Sequence, residues 1–358
     1  MRDLTLILLI KDRPDFLKRW VTYAIINKPI CQILISDGGK KKADKKILSR
    51  LSKNGVEFKY IKFSYDKDYM EFCKKVFNSL KICKSKYVSL CADDDFYINE
   101  SLTRGINFLK INKNYVSYGA SMITFGASNK YDQVNSIPTN FKIMYENNKI
   151  NNKSLLPIDR FFFFLKNSNF VIFHHIIKRR ILIDVYKEIL RSKLTIPNLI
   201  DLYGNSLIYC KGLVKTSKEI MRMKQYHPSS DAKSRDMNIT LLDKNFFLEN
   251  KELIDKLTKY ISIKQKINSF LLKIEIKKKL DKHYFSGSSS YLKKENNFRK
   301  ISKITYIKNL IMKKTIADIY YYFKKKFIIR NFKKFILKID DKKIRQEINI
   351  IFDYFYKK

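Results

Sequence analysis

Residues 4–25 read LTLILLIKDRPDFLKRWVTYAI: an apolar run, a short charged turn, then an amphipathic stretch opened by a proline. The run does not alternate as a half-exposed strand would, so it predicts a parallel strand buried on both faces. Pro14 falls where a first helical turn tolerates a missing N–H. Phe16, Leu17, Trp20, Val21 and Ala24 then share one helical face. The same pattern recurs downstream. QILISDGG (32–39) predicts a second strand ending in Asp37 and a glycine pair, and ADKKILSRLSKNG (43–55) predicts a helix stopped at Asn54-Gly55. VEFKYIKF (56–63) predicts a third strand, YMEFCKKVFNSLKICK (69–84) a third helix, and KYVSLC (86–91) a fourth strand. Such alternation predicts an α/β fold with a doubly wound, mostly parallel sheet. Ligands of such sheets collect at the carboxyl ends of the strands.

The fourth strand runs into three consecutive carboxylates, Asp93, Asp94 and Asp95, in VSLCADDDFY (88–97). In extended backbone Asp93 and Asp95 point to the same side. At an effective dielectric of 20, two unit charges about 4 Å apart repel by about 4 kcal/mol. Such a cluster takes up a proton, splays into water or holds a cation. An Asp-x-Asp at a strand end suits Mg²⁺ or Mn²⁺, which keep several waters and bridge to substrate phosphates. The bland alternative is an acidic turn in which Asp95 or Asn99 caps the next helix. As a metal ligand, Asp95 is expected to tolerate alanine with loss of turnover but not of fold.

Composition narrows the class. The chain has 358 residues, 45% of them hydrophobic, which is ample for a buried core. Its 74 Lys and Arg against 34 Asp and Glu give a net charge of +40, which invites a nucleic-acid or anionic-membrane partner. Abundant Lys, Ile, Asn, Tyr and Phe beside scarce Ala and Gly resemble the usage of an AT-rich genome, which discounts that argument. The 5 cysteines form no CxxC and no zinc-type spacing, so a reduced, cytoplasmic protein is expected. LTLILLI lacks a following small-residue cleavage site, and no uncharged stretch approaches the roughly 20 residues that span a bilayer.

Residues 100–240 are less regular. DRFFFFLKN (159–167) carries Phe161–Phe164, read mainly as core, and NFVIFHHIIK (169–178) reads as strand, with His174 and His175 as packing or acceptor-lining groups. RRILIDVYKEILRS (179–192) reads as a helix, and IDLYGNSLIYCKG (200–212) reads as helical up to Gly212. From about 241 the chain becomes a basic helical extension, so the expected organisation is a catalytic domain over 1–240 and an extension over 241–358. Ile316, Ile319, Tyr320, Phe323 and Phe327 keep helical spacing beside lysines 324–326. That stripe fits either a membrane-surface helix or a helix packed on the enzyme.

LTLILLIKDRPDFLKRW (4–20), ILISDGG (33–39) and KSKYVSLCADDDFY (84–97), in this order and spacing, resemble the amino-terminal half of family 2-type glycosyltransferases with the GT-A fold. The resemblance covers about residues 4–110 well and 110–230 loosely, and none of the tail. It implies that Asp37 meets the nucleoside base, and that Lys11 and Asp94 face the donor. It also implies that Asp93 and Asp95 hold the metal and the sugar-diphosphate. The family's turn commonly reads Thr-Tyr-Asn where this chain has Lys11-Asp12, and its Arg-Asn pair in the third helix is missing, with Lys74 and Lys75 nearby. Inverting members use an acidic general base about a hundred residues beyond the metal motif. Asp201 stands there, ahead of Asp184; its bland reading is a carboxylate complementing a helix dipole. His227 in RMKQYHPSSD (222–231) resembles the family's Arg-x-His-x-x-Ser loop and is a candidate metal ligand.

The expectation is therefore a metal-dependent glycosyltransferase. It would take a sugar from a nucleotide-sugar, a UDP-sugar first, to a surface-glycan or lipid-linked saccharide acceptor, at the inner face of the cytoplasmic membrane. Its rivals are a basic, aromatic-rich nucleic-acid-binding protein and a metal-dependent nucleotidyltransferase.

Overall fold

The computed structural model describes residues 3–127, 134, 138–144, 153–167, 172–226, 240–284 and 329–356. The first hundred residues form the alternation expected: β1 (Leu4–Ile10), α1 (Pro14–Asn27), β2 (Gln32–Asp37), α2 (Lys45–Lys53), β3 (Phe58–Lys62), α3 (Tyr69–Ile82), β4 (Tyr87–Ala92) and β5 (Asp95–Tyr97). There follow α4 (Asn99–Ile111), β6 (Tyr115–Ala127), β7 (Pro138–Met144), α5 (Pro157–Lys166), β8 (Ile176–Lys178), α6 (Arg179–Arg191), α7 (Pro197–Lys211) and β9 (Leu213–Gln225). The extension supplies α8 (Phe246–Gln265), α9 (269–284), α10 (329–336) and α11 (Lys342–Tyr356).

The strands make one sheet in the order β3-β2-β1-β4-β8-β6-β9-β5, with β7 paired to the end of β6 beyond β8. β3, β2, β1 and β4 are parallel, β8 inserts antiparallel between β4 and β6, and β6 returns parallel to β9. The central strands are nearly all buried, as the unbroken apolar run of β1 required. Two deviations stand out. The segment 169–178 is not one strand: Ile172–His174 turn as a short 3-10 helix and only Ile176–Lys178 join the sheet. Helix α4 begins at Asn99, and neither Asp95, inside β5, nor Asn99 caps it with a side chain.

Each face of the sheet carries its own apolar layer. Trp20, Val21 and Ala24 of α1 and Leu102, Ile106 and Leu109 of α4 pack on one side, and helices α3, α5, α6, α7 and α8 cover the other. Phe161 and Phe164 belong to the second layer, so half of the aromatic run is core. The described part of the tail also packs inward. Phe332, Ile336, Ile344, Ile348 and Phe352 are buried in the layer that holds α1 and α4. The stripe Ile316–Phe327 lies outside the described residues. Among the described residues no helix is long and apolar enough to cross a membrane.

Candidate active site

The register of the parallel strands brings their carboxyl ends level: Ile10 of β1 pairs with Asp37 of β2, Leu9 with Ala92 of β4, and Asp37 with Lys62 of β3. Asp37 and the aspartate turn are thus two strand spacings apart, about 10 Å across β1. Asp66 on the β3–α3 loop and Lys11 and Arg13 on the β1–α1 loop fill the same edge.

The three aspartates do not share one extended run. Asp93 and Asp94 form a turn, and only Asp95 enters β5, opposite Lys224 of β9. Asp93 and Asp95 consequently take different cations. Asp93 pairs with Arg13, whose guanidinium also lies 3.7 Å from Asp94 and rests over the Phe16 ring. Asp95 receives both its oxygens' bonds from Arg222 Nη1, each 3.0 Å long, and faces His174 Nδ1 at 3.4 Å. The repulsion posed by the sequence is resolved by arginines from two distant elements. Burial pushes Asp93 up to about 7, with Arg13 pulling it down. Burial likewise raises Asp95 against the pull of Arg222. Among the described residues no three Asp, Glu, His or Cys side chains converge as a metal cage. Asp95 is fully buried and paired with Arg222, and Asp93 is equally buried and paired with Arg13. His227 lies outside the described residues.

Asp37 is held tightly by its own loop. Oδ1 accepts from Gly39 N–H at 2.8 Å, and Oδ2 accepts from Ala43 N–H at 3.0 Å and Tyr60 O–H at 2.6 Å. The carboxylate fixes the path of the Gly38–Ala43 segment at the sheet edge. Beside it, buried Asp66 pairs with Lys75 of α3, whose Nζ also donates to the Ile10 carbonyl at 3.3 Å. Lys11 Nζ donates to the Asp66 carbonyl and sits 5.0 Å from the centre of the partly exposed Tyr65 ring. Lys75 therefore braces the loops that follow β1 and β3.

Asp201 lies in the first turns of α7, and Tyr69, the first residue of α3, donates its hydroxyl to Asp201 Oδ1 at 2.5 Å. That bond ties the candidate base to the helix following β3, at the same edge of the sheet. Asp184 lies on α6 and accepts from Lys211 at 3.4 Å. His175 is buried beside Ser117, and burial together with Arg222 pulls its pKa down to about 3.

Sequence reasoning gave no role to Arg13, Asp66, Lys75 or Arg222. Two of them left a signal. Three adjacent carboxylates demand cations, and Arg13 stands in the first sheet-edge loop. Asp66 follows the third strand as Asp37 follows the second. Arg222 is hidden in a strand whose partners only the folded sheet identifies.

The fold and this edge define a GT-A-type α/β protein. Residues 5–182, about half of the chain, match the family model described as Glycosyl transferase family 2, and the chain belongs to that family. Its structure is similar to that of S. aureus TarS, at a TM-score of 0.42 and 12% identity, over 73% of this chain and 44% of that one. It is also similar to TarS 1–349 in complex with UDP-GlcNAc (TM-score 0.46, 11% identity, 73% of this chain and 66% of that one). TarS 1–349 alone gives a TM-score of 0.44 and 11% identity over 81% and 91%. The chain thus spans less than half of the longest of these TarS chains. No curated protein matches it.

Proposed function

We propose that the protein transfers a sugar from a nucleotide-sugar, a UDP-sugar first among candidates, to a hydroxyl of a saccharide acceptor with inversion. The observation that carries this reading is the charged ladder along the carboxyl ends of β3, β2, β1 and β4. Asp66, Asp37 and Tyr65 stand at the end suited to a nucleoside, and Arg13 with the aspartate turn at the end suited to a diphosphate. Their separation of about 10 Å fits a nucleotide laid across β1.

The donor set fits a divalent cation that binds through one or two carboxylates and substrate phosphates. Asp94, with Asp93 beside it, would hold it. When bound, the ion would stabilise charge on the departing diphosphate. Arg13 offers a second positive charge at the same turn. Asp201, oriented by Tyr69, would accept the proton of the acceptor hydroxyl as its oxygen bonds to the anomeric carbon and the bond to the diphosphate breaks.

The test is hydrolysis and transfer across a panel of nucleotide-sugars, with Mg²⁺ or Mn²⁺ and with chelator. One preferred donor, turned over only with the metal, is expected. Undiminished turnover in chelator would remove the cation from the proposal, and no turnover of any donor would remove the activity.

A further inference from the structure

Phe332, Ile336, Ile344, Ile348 and Phe352 are consumed by packing, yet large apolar groups stay exposed elsewhere in the extension. Helix α8 ends at Gln265, Lys266 adopts a left-handed φ of 53°, and Asn268 caps α9 by accepting from Phe270 and Leu271 N–H at 2.9 and 3.2 Å. Buried Leu272, Ile276, Leu280 and Tyr284 fix one face of α9 inward. That phase turns Phe270, Leu271 and Ile274 outward, 70%, 64% and 53% exposed, next to Ile263 at the end of α8. Gln265 Oε1 accepts from Ile158 N–H at 3.1 Å, which brings exposed Leu155 and Leu156 before α5 to the same corner. Three helix ends thus present six large exposed apolar side chains at one tip. Lys264, Lys266, Lys277 and Lys278 are exposed around them.

We propose that this tip is the surface by which the protein docks on an anionic lipid bilayer. A protein partner would ask for a groove or a flat apolar face, whereas separate knobs ringed by lysines suit insertion at the boundary between headgroups and acyl chains. Each lysine held near an anionic leaflet adds about fivefold to partition, and the apolar knobs supply the salt-resistant part. The proposal rests on the membrane-surface reading of the sequence but moves the contact from the tail stripe to the α8–α9 elbow. It also sets an orientation. Arg160 of α5 donates to the Tyr209 and Cys210 carbonyls at the end of α7 (2.7 and 2.8 Å), so the tip lies at the end of α7 opposite Asp201. Along the helix that is on the order of 13 Å. The active edge would face away from the bilayer, toward an acceptor that extends from the surface.

The experiment is co-sedimentation of the full chain with vesicles of phosphatidylcholine alone or with about one third phosphatidylglycerol. The comparison variants are Phe270→Ser/Leu271→Ser and, as an exposed apolar control at the other end of α8, Phe247→Ser/Leu248→Ser. The wild type and the control should bind anionic vesicles and lose affinity with salt. The elbow variant should bind at least about tenfold more weakly, with unchanged thermal midpoint and donor hydrolysis. Absence of wild-type binding, or equal binding by the elbow variant, overturns the proposal. So does a wild-type dimer or a stable protein complex that the elbow variant disrupts, since another occupant would then cover the tip. Vesicle binding with no donor turnover would defeat the proposed activity and leave the docking surface standing.

Discussion

Asp94 and Asp95 are neighbours with opposite expected phenotypes. Asp95→Ala removes the carboxylate from buried Arg222 and should destabilise the protein by about 3–5 kcal/mol, the range for breaking a buried pair. Asp94→Ala should keep the thermal midpoint within a few degrees but lose metal-dependent nucleoside-diphosphate binding. Calorimetry and thermal unfolding of the two variants check this, and a stable Asp95→Ala would show that the pair contributes little. Asp201→Asn should retain donor affinity while slowing transfer by about 10²–10⁴-fold, as expected for a lost general base. Equal losses in affinity and rate would assign it to binding. His175 gives a pH signature. Its folded pKa lies near 3 against an ordinary 6.5, so the unfolded chain takes up the proton first as pH falls. Stability held above pH 6.5 is therefore lost toward pH 3. His175→Gln should flatten that slope in denaturant unfolding measured between those limits, and an unchanged slope would exclude His175 as its source.

At the scale of elements, the edge depends on how closely loops approach. A Cβ on Gly38 would come within 2.2 Å of the Asp66 carboxylate, which is itself ion-paired to Lys75. Gly38→Ala should push Asp66 off Lys75 and splay the loops after β2 and β3. We expect nucleoside-diphosphate affinity to fall at least about tenfold, with about 1–3 kcal/mol lost in stability from overpacking. Unaltered affinity by calorimetry would mean that the Asp66–Lys75 pair does not position the donor. The elements themselves were legible, because β1, β2 and β4 are apolar runs of strand length and α1–α3 carry one-faced apolar spacing. The segment 169–178 was not, because an apolar run does not distinguish a strand from a 3-10 turn leading into one.

At the scale of the molecule, the tail acts as a brace on the aspartate turn. Glu347 of α11 accepts from the Asn99 and Glu100 N–H groups at 2.5 and 3.2 Å, capping the helix that follows β5 from 248 and 247 residues away. Asp341 pairs with Arg104 of that helix at 2.5 Å, and the Phe332 and Phe352 rings stack beside Phe141. Five large buried side chains at about 1.5–3 kcal/mol each rival a whole domain's net stability. Removing residues 329–358 should therefore yield insoluble or thermally weakened protein. A truncated chain that melts like the full one would make the tail a passive appendage.

The sequence by itself determined the alternating half of the sheet and the loops at its carboxyl edge, since period and punctuation are local properties. It also placed Asp37, Asp93–Asp95 and Asp201 as the acids to examine. The tertiary structure alone decided which cation neutralises which acid, because Arg13 and Arg222 reach the aspartate turn from a loop 80 residues before it and a strand 127 residues after it. It also decided that the described tail packs on the sheet while the α8–α9 elbow does not. Hydrophobic spacing marks a face for burial, but the neighbouring surfaces determine what covers it.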